Sequence, residues 1–170
     1  MLSGSQSSRT DDSVKLVFEK YADTVFKIAY ARTNNSYDAD DILQDVFIRY
    51  MKSKPEFENE EHEKAWFLRC AINCSKSLLT SAWFRKTAAM DDRFSTEMKE
   101  KSDVYYAVAE LPADLRTIIH LYYYEGYRLA EIASLTGKSV ASVKSALFRA
   151  RKKLRKKLEQ NDERDDFDEL

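Results

Sequence analysis

The sequence predicts an all-α protein of two small helical modules joined by a flexible linker. Turn residues are scarce: three Gly and two Pro in 170 residues are too few for the reversals of a sandwich or barrel. Apolar residues recur three and four positions apart along most of the chain, the period of helices that bury one face. Charge is segregated, because a total of only −1 hides strongly acidic and strongly basic segments. The length suits one domain or two small ones, each with a helical core.

Residues 1–10 are small and polar and read as a disordered leader. Asp11, Asp12 or Ser13 can cap a first helix from Val14 to about Thr33, whose stripe is Val17, Tyr21, Val25, Ile28 and Ala29, widened by Phe18 and Phe26. Asn34-Asn35-Ser36 interrupts it. Asp38 is placed to cap a second helix, Ala39–Lys52, with Ile42, Leu43, Val46, Phe47, Tyr50 and Met51 along its apolar side. Residues 37–63 hold nine acids against three bases, a local charge of −6 that suits a cationic protein surface and not DNA. Lys54-Pro55 ends that helix, and an acidic loop leads into a long helix from about His62 to Arg85. There Leu68, Ala71, Ile72, Leu78 and Leu79 supply burial, while Trp66 and Trp83 read first as packing residues. Residues 87–102 lose periodicity and form the linker, long enough when extended to span up to roughly 50 Å.

A second module starts near Asp103. Val104, Ala107, Val108 and Leu111 make one amphipathic helix, and Pro112 stands at the first turn of the next, which continues through Ile118, Ile119, Leu121, Tyr122 and Tyr123. Tyr122–Tyr124 are read as core and boundary packing rather than a base-stacking box. The sharpest pattern follows in Tyr127–Leu158. A short helix over about Arg128–Thr136 ends at Gly137, which accepts a left-handed backbone, and Ser139 can cap a longer helix that buries Val140, Val143 and Leu147. A helix, a three-residue turn and a second helix are the parts of a DNA-reading helix-turn-helix, whose second helix enters the major groove. Residues 127–158 carry ten bases against one acid, a charge of +9 that matches phosphate. Residues 159–170 hold seven acids and one Arg; they read as a disordered acidic tail that competes weakly with DNA for the neighbouring basic helix.

These stretches together resemble the extracytoplasmic-function (ECF) class of bacterial RNA polymerase sigma factors. The resemblance is carried by ELP at Glu110–Pro112, LYYYEGYRLAEIA, SVKSALFRARKKL and, in the front half, DADDILQDVFIRYMK and KAWFLRCAINCSKSLL. It implies a region-2-like module over residues 11–86 and a region-4-like module over 103–158, with promoter DNA, core RNA polymerase (its clamp helices and flap) and an anti-sigma factor as partners. It assigns polymerase docking to Asp41, Gln44, Asp45 and Arg49. To Trp66, Arg69, Asn73 and Lys76 it assigns the −10 element, where an aromatic face and an amide suit an unstacked base. The −35 element falls to Ser142, Lys144, Ser145, Phe148 and Arg149, with Arg151, Lys152 and Arg155 on phosphates or against the polymerase flap; Lys and Arg can donate to guanine, and Phe can touch a thymine methyl. Two departures from the family pattern stand out: Ile72 precedes Asn73 where Arg is common and only Lys76, Arg85 and Lys86 follow, which implies a weaker −10 grip on phosphate, and Ala146 replaces a frequent Arg, which implies one lost phosphate or base contact.

Enzyme chemistry has no foothold in this sequence. No Gly-rich phosphate loop, Ser/His/Asp set or metal-ligand spacing occurs, so neither catalysis, metal nor cofactor is expected. Cys70 and Cys74 lie four apart in a predicted helix and read as buried reduced thiols, with a redox role left open. No apolar run approaches the ~20 residues that span a bilayer, and the start lacks a signal peptide's apolar core, so a cytoplasmic protein is expected. The rival reading is a helix-turn-helix repressor or activator that binds DNA alone.

Overall fold

The structure, a computed structural model, describes residues 4–82 and 102–168, with side chains over 11–81 and 102–161. All regular structure among the described residues is helical: α1 (Gly4–Thr33), α2 (Ser36–Ser53), α3 (Glu60–Ala82), α4 (Asp103–Ala109), α5 (Ala113–Ile119), α6 (Leu129–Thr136) and α7 (Val140–Asp168), with a π-helical turn at His120–Tyr124. Two compact units emerge, Met1–Tyr30 with Tyr37–Lys86 and Ala31–Ser36 with Thr87–Leu170. The expected linker lies outside the described residues except for Ser102, as do Trp83, Arg85 and Lys86.

In the first unit α1, α2 and α3 bury the stripes their spacing demanded. Tyr21, Val25, Ile28 and Ala29 meet Ala39, Ile42, Val46 and Phe47, and α3 closes the core with Phe67, Leu68, Ala71 and Ile72. Phe67 is the hub: its ring lies 4.7 Å from Tyr21, 5.2 Å from Phe47 and 5.3 Å from Tyr50. Offset and tilted ring pairs at these separations add to the area they bury. Tyr21 Oη donates to Glu63 Oε2 at 2.8 Å, and Lys20 bridges Glu60 at 2.8 Å, which pins the start of α3 to α1. Burial and the Glu63 carboxylate push the Tyr21 phenol up.

Several boundaries differ from expectation. α1 begins at Gly4, so most of the stretch read as a disordered leader is helical. Asn34, at φ 52°, follows the end of α1 in the left-handed region that Asn tolerates, and α2 starts at Ser36 rather than after Asp38. α3 starts two residues early because Asn59 Oδ1 accepts the His62 N–H at 2.9 Å, a cap the sequence reading missed. Met51, expected in the buried stripe, is 46% exposed.

The second unit is built on α7, which packs against α4, α5 and α6. Its core joins Leu111, Leu115, Ile118, Leu121, Ile132 and Leu135 to Val143, Ala146, Leu147 and Ala150. Pro112 takes the N-cap position rather than the first helical turn, at φ −53° and ψ 147°. Within the π turn Leu121 is buried, whereas Tyr123 and Tyr124 are exposed instead of packed. Val140 is also exposed, since it precedes the part of α7 that packs on α6. Finally, α7 runs on to Asp168, so the acidic segment expected to be disordered is helical through most of its length.

Candidate nucleic-acid interface

The rear unit presents one continuous surface on α7. Gly137, at φ 69° and ψ 26°, ends α6 in the left-handed region, and no atom lies within 4 Å of where a Cβ would stand, so backbone conformation alone favours glycine here. Ser139 Oγ accepts the Ser142 N–H at 3.1 Å and so satisfies one free donor of the first turn of α7. The other end of the motif is tied as well, where the Arg128 N–H donates to Glu131 Oε2 at 2.7 Å. The turn itself is held by Gly137 at the end of α6 and Ser139 at the start of α7, while the Arg128–Glu131 bond caps the far end of α6.

Helical periodicity then sorts α7 into two faces. Val143, Ala146, Leu147 and Ala150 face the core, whereas Ser142, Lys144, Ser145, Phe148, Arg149, Arg151 and Lys152 are all exposed. Phe148 is 67% exposed, an arrangement costly for an isolated module and apt for a group that meets a partner. Ala146 is only 2% exposed, which corrects the expectation of a lost DNA contact: a side chain at this register faces the core and not the groove.

Arg151 is not a loose surface cation. Its Nε–H donates to Tyr123 Oη at 2.7 Å, and its guanidinium lies 5.4 Å from the Tyr122 ring centre and 5.6 Å from that of Tyr123. The hydrogen bond to Tyr123 raises the Arg151 pKa further. Tyr123 was missed as a supporting residue because it lies in a π turn that has no sequence signal and its partner is 28 positions away.

In the front unit, Asp41, Gln44, Asp45 and Arg49 are exposed on α2 at spacings of three and four, one helix face. Ile48 and Met51 are exposed beside them, and Gln44 joins both in lining an apolar groove of about 850 Å³ with Phe18 and Phe47. The acidic surface thus adjoins an apolar one, which the charge pattern did not reveal.

A second groove, of about 530 Å³, runs between α2 and α3 and is lined by Arg49, Lys52, Trp66, Arg69, Cys70 and Asn73. Three of the four −10 candidates meet there. Trp66 is half-buried with its ring edge-on to Tyr50, Phe57 and Phe67, so it serves packing and still offers a surface to the groove. Lys76 does not line the groove, but its Nζ donates to Asn73 Oδ1 at 3.2 Å, which occupies the amide oxygen and leaves the NH₂ donors. Arg49, expected on the docking face, belongs to this groove too. Ile72 is 1% exposed and points into the core, so its departure from Arg subtracts nothing from the outer face.

Among the described residues, no three His, Cys, Asp or Glu side chains gather as a metal site, and no helix is long and apolar enough to cross a membrane. The fold and its surfaces define a helix-turn-helix DNA-binding protein with a second helical unit whose exposed faces are acidic, apolar and cationic in turn. Comparison with known proteins carries the assignment further. "Sigma-70 region 2" matches residues 17–85 and "Sigma-70, region 4" matches residues 101–154. RNA polymerase sigma factor SigV of Bacillus subtilis (strain 168) is 32% identical over 144 residues, spanning 81% of this chain and 86% of that protein. ECF RNA polymerase sigma factor SigX of the same organism is 24% identical over 170 residues, spanning 88% and 85%. Two solved structures share the fold: the sigma factor RpoE with the anti-sigma factor NepR from Bartonella quintana (TM-score 0.66, 21% identity, 85% of this chain and 96% of that one) and CnrH with the cytosolic domain of CnrY (TM-score 0.65, 23% identity, 88% and 90%). The chain belongs to the sigma-70 family of RNA polymerase sigma factors, with relatives in its ECF class. It is a promoter-recognising transcription initiation factor.

Proposed function

We propose that the two units divide promoter recognition between them. α7 enters the major groove of the −35 element with Ser142, Lys144, Ser145, Phe148 and Arg149 at base edges and Arg151 and Lys152 on phosphates. The α2 face of Asp41, Gln44 and Asp45 docks on the cationic clamp helices of core RNA polymerase, with Ile48 and Met51 adding apolar contact. The α2–α3 groove receives an extruded base of the −10 non-template strand, which stacks against Trp66 and takes hydrogen bonds from Asn73, while Arg49, Lys52 and Arg69 attract its phosphates. Arg49 then stands at the seam of docking and strand capture.

The observation that supports this reading best is the sorting of α7: every residue proposed to read DNA is exposed, and the four between them that are apolar are buried. The protein does no covalent chemistry of its own in this reading. It acts in the cytoplasm as a subunit and is held in reserve by an anti-sigma protein, the kind of partner named for the RpoE relative. The deciding experiment mixes the purified chain with bacterial core polymerase and genomic DNA and maps transcript starts. Discrete starts that need both components support the proposal; operator binding by the chain alone, with no starts gained, would replace it with a free-standing repressor or activator.

A further inference from the structure

Promoter recognition leaves one reactive group in the α2–α3 groove without a role. Cys70 is half-buried on the groove wall beside Arg49, Lys52 and Arg69, and Cys74 lies one helical turn further along α3, buried to 4% exposure. The Cys70 thiol donates a hydrogen bond to the Cys74 sulfur, which draws the Cys74 pKa down to about 7 and pushes Cys70 up while it holds the shared proton. The Arg49 guanidinium favours the thiolate at both sulfurs and Asp45 opposes it. Of the two sulfurs only Cys70 lines the groove, so it is the one that a dissolved disulfide reaches, and Arg49 on the same wall favours its thiolate.

Helix geometry decides what such a thiolate can do. Side chains four apart hold their Cβ atoms about 5–6 Å from each other, whereas a disulfide needs about 3.5–4.5 Å. Cys74 cannot close on Cys70 without deforming α3, so a group attached to Cys70 is not expelled by its neighbour. The groove, at about 530 Å³, has room for a tripeptide-sized substituent. We propose that Cys70 is a charge-steered thiolation site that takes up an anionic low-molecular-weight disulfide as a mixed disulfide, its carboxylates held by Arg49, Lys52 and Arg69. In the step, the Cys70 thiolate attacks one sulfur of the disulfide. The Cys70–sulfur bond forms as the old S–S bond breaks, and the departing thiolate takes up a proton from water in place of the one the cysteine pair released. Cys70 is oxidised and the departing thiol is reduced. The adduct fills the space beside Trp66 and Asn73 and switches off strand capture; this last consequence rests on the promoter-opening reading, whereas the site does not.

The test treats the reduced full-length chain with glutathione disulfide or with cystamine, a disulfide of opposite charge, and locates adducts by peptide mass spectrometry. Each rate is divided by the rate on the guanidinium-unfolded chain, which removes intrinsic reactivity. Folding should favour glutathione disulfide by about tenfold or more at Cys70, the scale on which a charged cleft concentrates an opposite charge. Added salt should shrink the preference. Lys52→Glu with Arg69→Glu should invert it, with helix content checked by circular dichroism; should that variant unfold, the salt dependence of the unaltered chain decides. Absence of a preference, a preference indifferent to salt, or an adduct mainly on Cys74 overturns the proposal. Glutathionylated chain mixed with core polymerase should lose open-complex formation, read by permanganate reactivity of the −10 thymines. Charge-selective modification of Cys70 with opening intact would uphold the site and refute the strand-capture role of the groove.

Discussion

Tyr123→Phe removes a single interaction, the 2.7 Å hydrogen bond that Arg151 Nε donates to the phenol, and leaves both aromatic rings under the guanidinium. A net hydrogen bond contributes about 0.5–1.5 kcal/mol. Because this one is exposed, the lower part of that range applies, about 0.5–1 kcal/mol. Should the bond aim Arg151 at a phosphate, duplex affinity falls about two- to fivefold, since about 1.4 kcal/mol is tenfold. The charge itself remains, so the dependence on salt should hardly change. Arg151→Ala removes the cation and should lower the slope of log K against log salt by about 0.9. Anisotropy of a labelled duplex, titrated with full-length variants across a salt series, reads both quantities at once. An unchanged slope for Arg151→Ala would refute the phosphate contact and make the cluster a purely structural clasp; a slope drop in Tyr123→Phe as large as that of Arg151→Ala would refute the positioning role of the tyrosine.

Lys144→Ala and Arg149→Ala should each cost roughly 1–3 kcal/mol on the promoter in holoenzyme footprinting, and much less on a scrambled −35 sequence; equal losses on both would make them phosphate contacts. Gly137→Ala should destabilise the helix-turn-helix by about 1–2 kcal/mol, the cost of a left-handed alanine with no clash added, visible as faster amide exchange in peptides of α6 and α7. Asp41→Lys with Asp45→Lys should abolish capture by core polymerase in a pull-down while duplex binding rises or stays level; retained capture would remove α2 from the docking face. Deleting Asn161–Leu170 should raise duplex affinity at low salt only and by a few-fold at most, because α7 continues as helix past the basic segment to Asp168 instead of folding back over it.

Much of this protein was legible in its residues because the signals were local. Helical periodicity, the Gly137 terminator, the Ser139 cap and the +9 stretch each depend on neighbours within one or two turns, so the helix-turn-helix and the exposed face of its second helix follow from the chain order alone. The same holds for the acidic face of α2. Locality also explains the errors. Residues 1–10 and 159–170 looked too polar to order, yet α1 begins at Gly4 and α7 runs to Asp168, where helix continues from an already packed segment without the cost of a new nucleus.

What packing alone decided concerns residues distant in sequence. Tyr123, in the π turn at His120–Tyr124, holds Arg151, 28 positions away, and nothing in HLYYY marks where a helix will widen. The crossing of α2 and α3 puts Arg49 and Lys52 in one groove with Trp66, Arg69, Cys70 and Asn73, joining side chains that the sequence lists under separate tasks. It also turns Ile72 inward and leaves Ile48 and Met51 in the open. Periodicity tells a helix which of its faces is apolar; only the neighbour that covers that face, and how far along it the cover reaches, determines which residues remain exposed.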